Sequence, residues 1–361
     1  MNFAFYRCAL LPHSHRIPPI LLLFVCSLVA LNVAPAADPP SADAIRVEED
    51  AEEIRIETNA LKATIRKKGY VSGIAGGTFV DKKTGQADLG FGLDIVDWVM
   101  APGSDQTYRD QLPRRMVYET GNPWHGDDPK RCMDGPQICT EAEELSPKVI
   151  RGDGFVAVEQ EFAYTVAAPG RKPGSVWKQR IVFLPDARYV LSCDEVTLVE
   201  GGEELFLRTD LPGHIKHKQG DTFSEIYLSY HGAIPSSEFA GEDFAPQAKF
   251  HYRRPADASQ IPDRMIRAYR TRDAKTGEQG PWLAGMTLDP TDVYEGWCHQ
   301  RGYVCMIQEI GGRDYSAGDK IRAAYAIGWF DSIDEMNAVY DQHRGSRSFS
   351  VDGGVLSRTK E

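Results

Sequence analysis

Residues Arg208 to His231 read RTDLPGHIKHKQGDTFSEIYLSYH, two alternating runs on either side of a Pro212-Gly213 turn. Successive side chains on a strand point to opposite faces. Phe206, Arg208 and Asp210 therefore oppose the apolar Leu205, Leu207 and Leu211, while Glu225, Tyr227, Ser229 and His231 oppose Ile226, Leu228 and Tyr230. One face is built for a core. The other is filled with groups that titrate or ligate near neutral pH rather than with the Lys, Glu and Thr that merely solvate a sheet. Two readings stay open for that face: a solvated surface with histidines at the core edge, or a site.

The same period runs outward in both directions. Ile54 and Ile56, then Leu61, Ala63 and Ile65, alternate with polar residues, and strand-length runs follow at 155–166, 175–183, 188–199, 205–211, 223–230, 282–288, 302–309 and 321–329. This pattern predicts an all-β chain, a large antiparallel β-sandwich with one short C-terminal helix. The helix starts at Ser332-Ile-Asp-Glu335, a capping box followed by Met336, Val339 and Tyr340 at helical spacing. Two long stretches, 102–147 and 232–262, lack clear strands, and loops of that length are usually functional. They carry Trp124-His125, Lys130-Arg131 and His251-Tyr252-Arg253-Arg254. Rings that stack on pyranose faces and arginines that grip carboxylates suit a sugar ligand.

The N-terminus reads as an export signal over residues 1–37: Arg7 and Arg16, an apolar stretch from Ile20 to Val33, and small residues at Ala34-Pro-Ala-Ala37. The expected organisation is then a linker over 38–49, one sandwich over 50–345 and a C-terminal tail over 346–361. No later run reaches the roughly 18 apolar residues of a spanning helix. The expectation is a secreted or periplasmic protein with no membrane span. Losing two arginines with the signal takes the formal charge from −11 to −13, which argues against nucleic acid as a partner. An anionic poly- or oligosaccharide fits better, through local clusters of Lys and Arg. Cys132 and Cys139, and Cys298 and Cys305, share C-x6-C spacing, which in an oxidising compartment predicts two local disulfides; Cys193 is left over as a buried thiol. The second bridge rests on a two-residue turn at Arg301-Gly302 that would set Cys298 opposite Cys305.

The run Ile54-Arg-Ile-Glu-Thr-Asn-Ala-Leu61, the Asp81-Lys-Lys-Thr-Gly85 turn, the segment Phe183-Leu-Pro-Asp-Ala-Arg-Tyr189 after Trp177, and Ile310-Gly-Gly312 with Ala317-Gly318 before a closing strand are similar to the galactose-mutarotase-like β-supersandwich. The resemblance covers roughly residues 50–330. It implies carbohydrate chemistry, since this fold also occurs in polysaccharide lyases and related carbohydrate-active proteins. No catalytic motif matches, so it carries over no residue roles.

The chemistry is therefore read from the residues. For β-elimination on a uronic-acid glycan, His214, His217, Tyr227, Tyr230 and His299 supply acid and base, while Arg208, Lys216 and Arg301 neutralise the carboxylate. Glu225, Trp297, Trp124, His125 and Arg131 complete the expected substrate contacts. His214-Ile-Lys-His217 with Glu225, and either His299 or His231, is also a conceivable divalent-metal set. Hydrolysis needs two carboxylates flanking the bond, and Asp210 with Glu225 is the pair available. A non-catalytic carbohydrate-binding sandwich would need the aromatic loops but not the histidines.

Overall fold

A computed structural model describes residues 44–117 and 129–360. The expected export signal, and Trp124 and His125, lie outside the described residues. Seven strands form one sheet: β1 (Ile95–Pro102), β2 (Lys130–Gly135), β3 (Val166–Ala167), β4 (Gly202–Lys216), β5 (Tyr252–Arg253), β6 (Val293–Gln300) and β7 (Tyr303–Tyr315), in the order β3-β2-β1-β4-β7-β6-β5. A nine-stranded sheet runs in the order Gly232–Pro235, Phe223–Leu228, Met265–Arg272, Gln279–Thr287, Lys320–Phe330, Tyr189–Thr197, Val176–Phe183, Phe155–Ala163 and Lys148–Gly152. A smaller four-stranded sheet is made by Arg46–Glu49, Glu53–Glu57, Leu61–Arg66 and Val80–Asp81. The pairings are antiparallel, so the chain is the all-β sandwich its alternation predicts.

Alternation decides what each sheet buries. Leu205, Leu207 and Leu211 of β4 join Ile226 and Leu228 of the facing sheet, with Tyr269, Leu283 and Ile327, in one buried cluster. Each such side chain contributes about 1.5–3 kcal/mol by leaving water. A second apolar cluster covers the far face of the nine-stranded sheet, where Met336 and Tyr340 of a C-terminal helix, α2, and Phe349 of the final hairpin pack on Trp282, Met286 and Ala326. That helix spans Ile333–His343; the shorter α1 spans Ile138–Glu141. Ser332 Oγ accepts the Glu335 amide at 3.1 Å, and the Glu335 carboxylate accepts the Asp331 amide at 2.7 Å. The cap sits where the sequence places it.

Several expectations change. Arg46–Glu49, inside the expected 38–49 linker, is a strand, and the 346–361 tail contains a hairpin, Ser348–Asp352 with Val355–Thr359. The long 102–147 stretch holds β2 and α1. Pro212-Gly213 is not a turn between strands: β4 runs through it as a bulge. The five described cysteines are free thiols, contrary to the expected bridges. Cys139 Sγ donates to Asp97 Oδ1 at 3.3 Å, whereas Cys132 packs with Met100 and Phe206. In the β6–β7 hairpin Gln300 pairs with Val304, which leaves three connecting residues rather than two, with Gly302 at φ +76°. Cys298 then faces Met306, and His299 faces Cys305. The shift of one residue puts the two thiols on opposite faces of the sheet.

Candidate active site

The face of the seven-stranded sheet turned away from the core carries the site. On β4 the bulge between Asp210 and His214 is the decisive local feature. Asp210 pairs with Ile307 and His214 with Cys305, so residues four apart on β4 meet residues only two apart on β7. Two surplus residues are absorbed within Leu211-Pro212-Gly213, which draws His214 in beside Asp210 on the face the two share. His214 Nε2 lies 3.0 Å from Asp210 Oδ2. Gly213 makes this possible: its φ is +139°, and a Cβ there would sit 2.1 Å from the Gly92 carbonyl oxygen.

Around this pair opens a cavity of about 320 Å³. Its walls come from β1 (Asp97, Trp98), β4 (Arg208, Asp210, His214), β6 (His299) and β7 (Tyr303, Cys305, Ile307), with Arg301 from the hairpin tip, Gln137 and Thr140 from the α1 region, and Tyr70 and Phe91 from the preceding loops. Phe91, His214 and Tyr303 meet edge-on, with ring centroids 5.0–5.4 Å apart. Arg301 Nε donates to the Tyr303 hydroxyl at 2.8 Å.

The electrostatics sort these groups into roles. Burial pulls the His214 imidazole down, but the Asp210 carboxylate and the Cys305 sulfur together outweigh it and raise the imidazole to about 10. His214 is therefore a cation at neutral pH. Burial pushes the Asp97 carboxyl up to about 6, the Asp210 charge adds to the rise, and a 2.7 Å hydrogen bond from Gln137 opposes it. Burial also lifts the Tyr303 phenol to about 12, with Arg301 pulling the other way. Tyr303 keeps its proton, and the hydroxyl oxygen accepts from a guanidinium.

Arg208 is buried and engaged: its guanidinium donates to Glu309 Oε1 at 2.6 Å. Glu309 Oε2 accepts from Lys130 at 2.8 Å, and Lys130 also bonds Glu295. Trp297 is fully buried beneath them, with Lys130 Nζ 4.3 Å and Arg208 Cζ 5.2 Å from its ring. It is the floor of a charge network rather than an open stacking platform.

Of the residues expected in the site, the fold brings together Arg208, Asp210, His214, His299 and Arg301, with Lys216 at the rim, its Nζ 4.2 Å over the Phe91 ring. The others lie elsewhere. His217 Nδ1 accepts the Gly220 amide at 2.9 Å, which leaves Nε2 to donate to Gln300 at 2.9 Å; the ring staples a loop. Glu225 and Tyr227 belong to the nine-stranded sheet, the first 3.7 Å from Arg270 and the second against Trp282. The Asp210–Glu225 pair therefore does not form. Tyr230 packs into the inter-sheet core beside Tyr252. Arg131, on β2 opposite Ala101, does not line the cavity. The proposed metal set of His214, His217 and Glu225 is dispersed, and His231 packs on Phe250 instead. Among the described residues no three His, Cys, Asp or Glu side chains form a metal-holding group.

Sequence reading missed Asp97, Trp98, Tyr70 and Phe91. Asp97 had a legible signal: a lone acid inside the apolar strand Ile95-Val-Asp-Trp-Val-Met100, a position that charged residues occupy only when something holds them there. Tyr70 and Phe91 sit in turns and have no periodicity to mark them.

No protein-family model matches the chain, and no curated protein matches it in sequence. Solved structures do resemble it. They include a galactose 1-epimerase from Lactobacillus acidophilus, at 10% identity and a TM-score of 0.38 over 80% of this chain and 98% of that one. A protein described as an aldose 1-epimerase from Klebsiella pneumoniae matches at 8% and 0.39 over 82% and 85%. A 4-alpha-glucanotransferase from Thermococcus litoralis matches at 10% and 0.34, over 80% of this chain and 39% of that one. The first two of these are described as sugar 1-epimerases. At such identities and scores the likeness carries no argument about activity.

Proposed function

We propose that the chain is an exported carbohydrate-active enzyme, a carbon–oxygen lyase that cleaves a uronic-acid glycan by β-elimination. The observation that carries this reading is the Arg301–Tyr303 pair beside the cationic His214 in one open cavity. Arg301 and His214 neutralise the substrate carboxylate, which acidifies the proton on C5. His299, on the same wall, takes that proton. The C5–H electron pair forms the C4–C5 double bond, the C4–O bond breaks, and Tyr303 gives its phenolic proton to the leaving oxygen. Asp210 keeps His214 charged and oriented. Arg208, already bonded to Glu309, shapes the wall rather than binding substrate.

The test is to incubate the purified protein with a panel of uronic-acid polysaccharides and follow ultraviolet absorbance of unsaturated ends. Tyr303→Phe is expected to lower kcat by about a hundredfold, as for loss of a general acid, while Arg301→Ala chiefly raises KM. Unsaturated product formed equally well by Tyr303→Phe removes the assignment.

A second reading has one observation in its favour. Asp97 and Asp210 are two carboxylates in one cavity, and Asp97 is held near 6, where a general acid for glycoside hydrolysis needs to be. Hydrolysis of a neutral oligosaccharide that is lost in Asp97→Asn would replace the lyase assignment with this one. Binding without cleavage would leave a carbohydrate-binding sandwich.

A further inference from the structure

Beyond Glu309 the same sheet face holds a second cavity, of about 310 Å³. Its floor is the stacked pair Phe206 and Tyr294, with centroids 5.3 Å apart. Lys130, only 3% exposed, lies in its wall, and Arg253, with 42% of its side chain exposed, stands at its mouth with Cζ 4.0 Å over the Tyr294 ring. His251, the remaining basic group, hydrogen-bonds Glu295.

The charge balance at this place is positive. Four cations, Lys130, Arg208, Arg253 and Arg254, stand against three carboxylates, Glu295, Glu309 and Glu204, the last accepting from the Tyr294 hydroxyl at 3.4 Å. Glu309 is satisfied by Arg208 and Lys130, and Glu295 by Lys130 and His251. Arg253 reaches Glu295 only at 3.4 Å and bonds the Tyr294 hydroxyl with one nitrogen. The guanidinium nonetheless lines the cavity and stays partly open to solvent. A buried ion network of this kind adds little net stability, but with the Tyr294 hydroxyl it anchors a partly exposed guanidinium over an aromatic floor, a charge suited to an incoming carboxylate or sulfate.

The two cavities share one wall. Arg208 lines the first, Lys130 lines the second, and both bond Glu309. Along β7, Glu309 lies four residues from Cys305, roughly 13 Å at the rise of an extended strand. A glycan seated with one ring at His214 would extend over this second cavity.

We propose that the Lys130–Arg253–Tyr294 cavity is a subsite for an anionic group on the same glycan, a carboxylate or sulfate on a sugar ring removed from the one that reacts. The idea rests on the reading of the first cavity as a glycan site. Cleavage is not required for it.

Isothermal titration of the full chain and of Arg253→Ala, with thermal melts to establish folding, tests this. The probes are a glucuronate-containing hexasaccharide, glucuronate monosaccharide, a sulfated neutral hexasaccharide and its unsulfated parent. Arg253→Ala is expected to bind the charged probe roughly tenfold more weakly, as for one charge-assisted contact, and to leave affinity for the unsulfated parent and for glucuronate monosaccharide unchanged. Which charged probe responds identifies carboxylate or sulfate; either supports the subsite. Equal affinity of both proteins for both charged hexasaccharides, or an equal loss for the neutral one, overturns it. If charged binding falls in Arg301→Ala but not in Arg253→Ala, the first cavity stands and the subsite fails. If it falls in Arg253→Ala while no glycan is ever cleaved, the subsite stands and the lyase fails.

Discussion

At the scale of single residues the account turns on His214. Its cationic state depends on Asp210, because burial alone would favour the neutral ring. Replacing Asp210 with Asn removes the larger of the two raising influences and leaves Cys305: imidazole signals in NMR titration should move from about pH 10 in the native protein to a clearly lower pH in the variant. An unchanged titration would mean that Asp210 does not set the charge. The linkage has a defined sign. The folded imidazole binds its proton more tightly than the unfolded one, so its stabilisation is complete below about pH 6.5 and is lost as pH rises through about 10.

A second pair of residues makes a separate prediction. Asp94 and Asp194 are buried between the sheets; Ser192 donates to Asp94, and the Trp177 indole donates to Asp194 Oδ1 at 2.9 Å. One oxygen of each carboxyl, Asp94 Oδ1 and Asp194 Oδ2, has no other hydrogen-bond partner among the described residues. Burial raises both above the usual range, Asp94 to about 6. A carboxyl raised in the folded state stabilises fully below its unfolded value near 3.8 and stops doing so as pH rises through the folded one. Urea unfolding should therefore show stability falling between about pH 4 and pH 6 and beyond, with a shallower fall in Asp94→Asn. A flat profile over that window would contradict the raised carboxyls.

At the scale of elements the bulge in β4 is the device that makes a site out of a strand. Gly213→Ala would drive a methyl into the Gly92 carbonyl from a backbone angle that side chains rarely adopt. It should destabilise by about 2–4 kcal/mol in chemical denaturation and separate His214 from Asp210. The bulge also explains what the sequence could and could not reveal. Alternation through Arg208 and Asp210 was legible, but Pro-Gly reads equally as a turn, and only the pairing with β7 shows that the strand continues. The β6–β7 hairpin teaches the same lesson: one additional connecting residue at its tip separates Cys298 from Cys305 while leaving the hydrophobic pattern intact. Parity of a turn is a tertiary fact that spacing of cysteines does not contain.

For the whole molecule, the sandwich itself was readable because each strand announces its buried face with period two. Which sheet a strand joins was not readable, since Leu207 and Ile226 meet in the same core from opposite layers. Glu225 and Tyr227 were lost from the site for that reason, and Asp97 and Tyr70 entered it from segments far away in the chain. The central claim is that the cavity so assembled eliminates rather than hydrolyses. Its most direct test is cleavage of a uronic-acid glycan in oxygen-labelled water with mass analysis of the fragments. The account predicts fragments with an unsaturated uronate at the new non-reducing end and no label at the broken bond. Label incorporated there, or intact glycan across the whole uronic-acid panel, would contradict it.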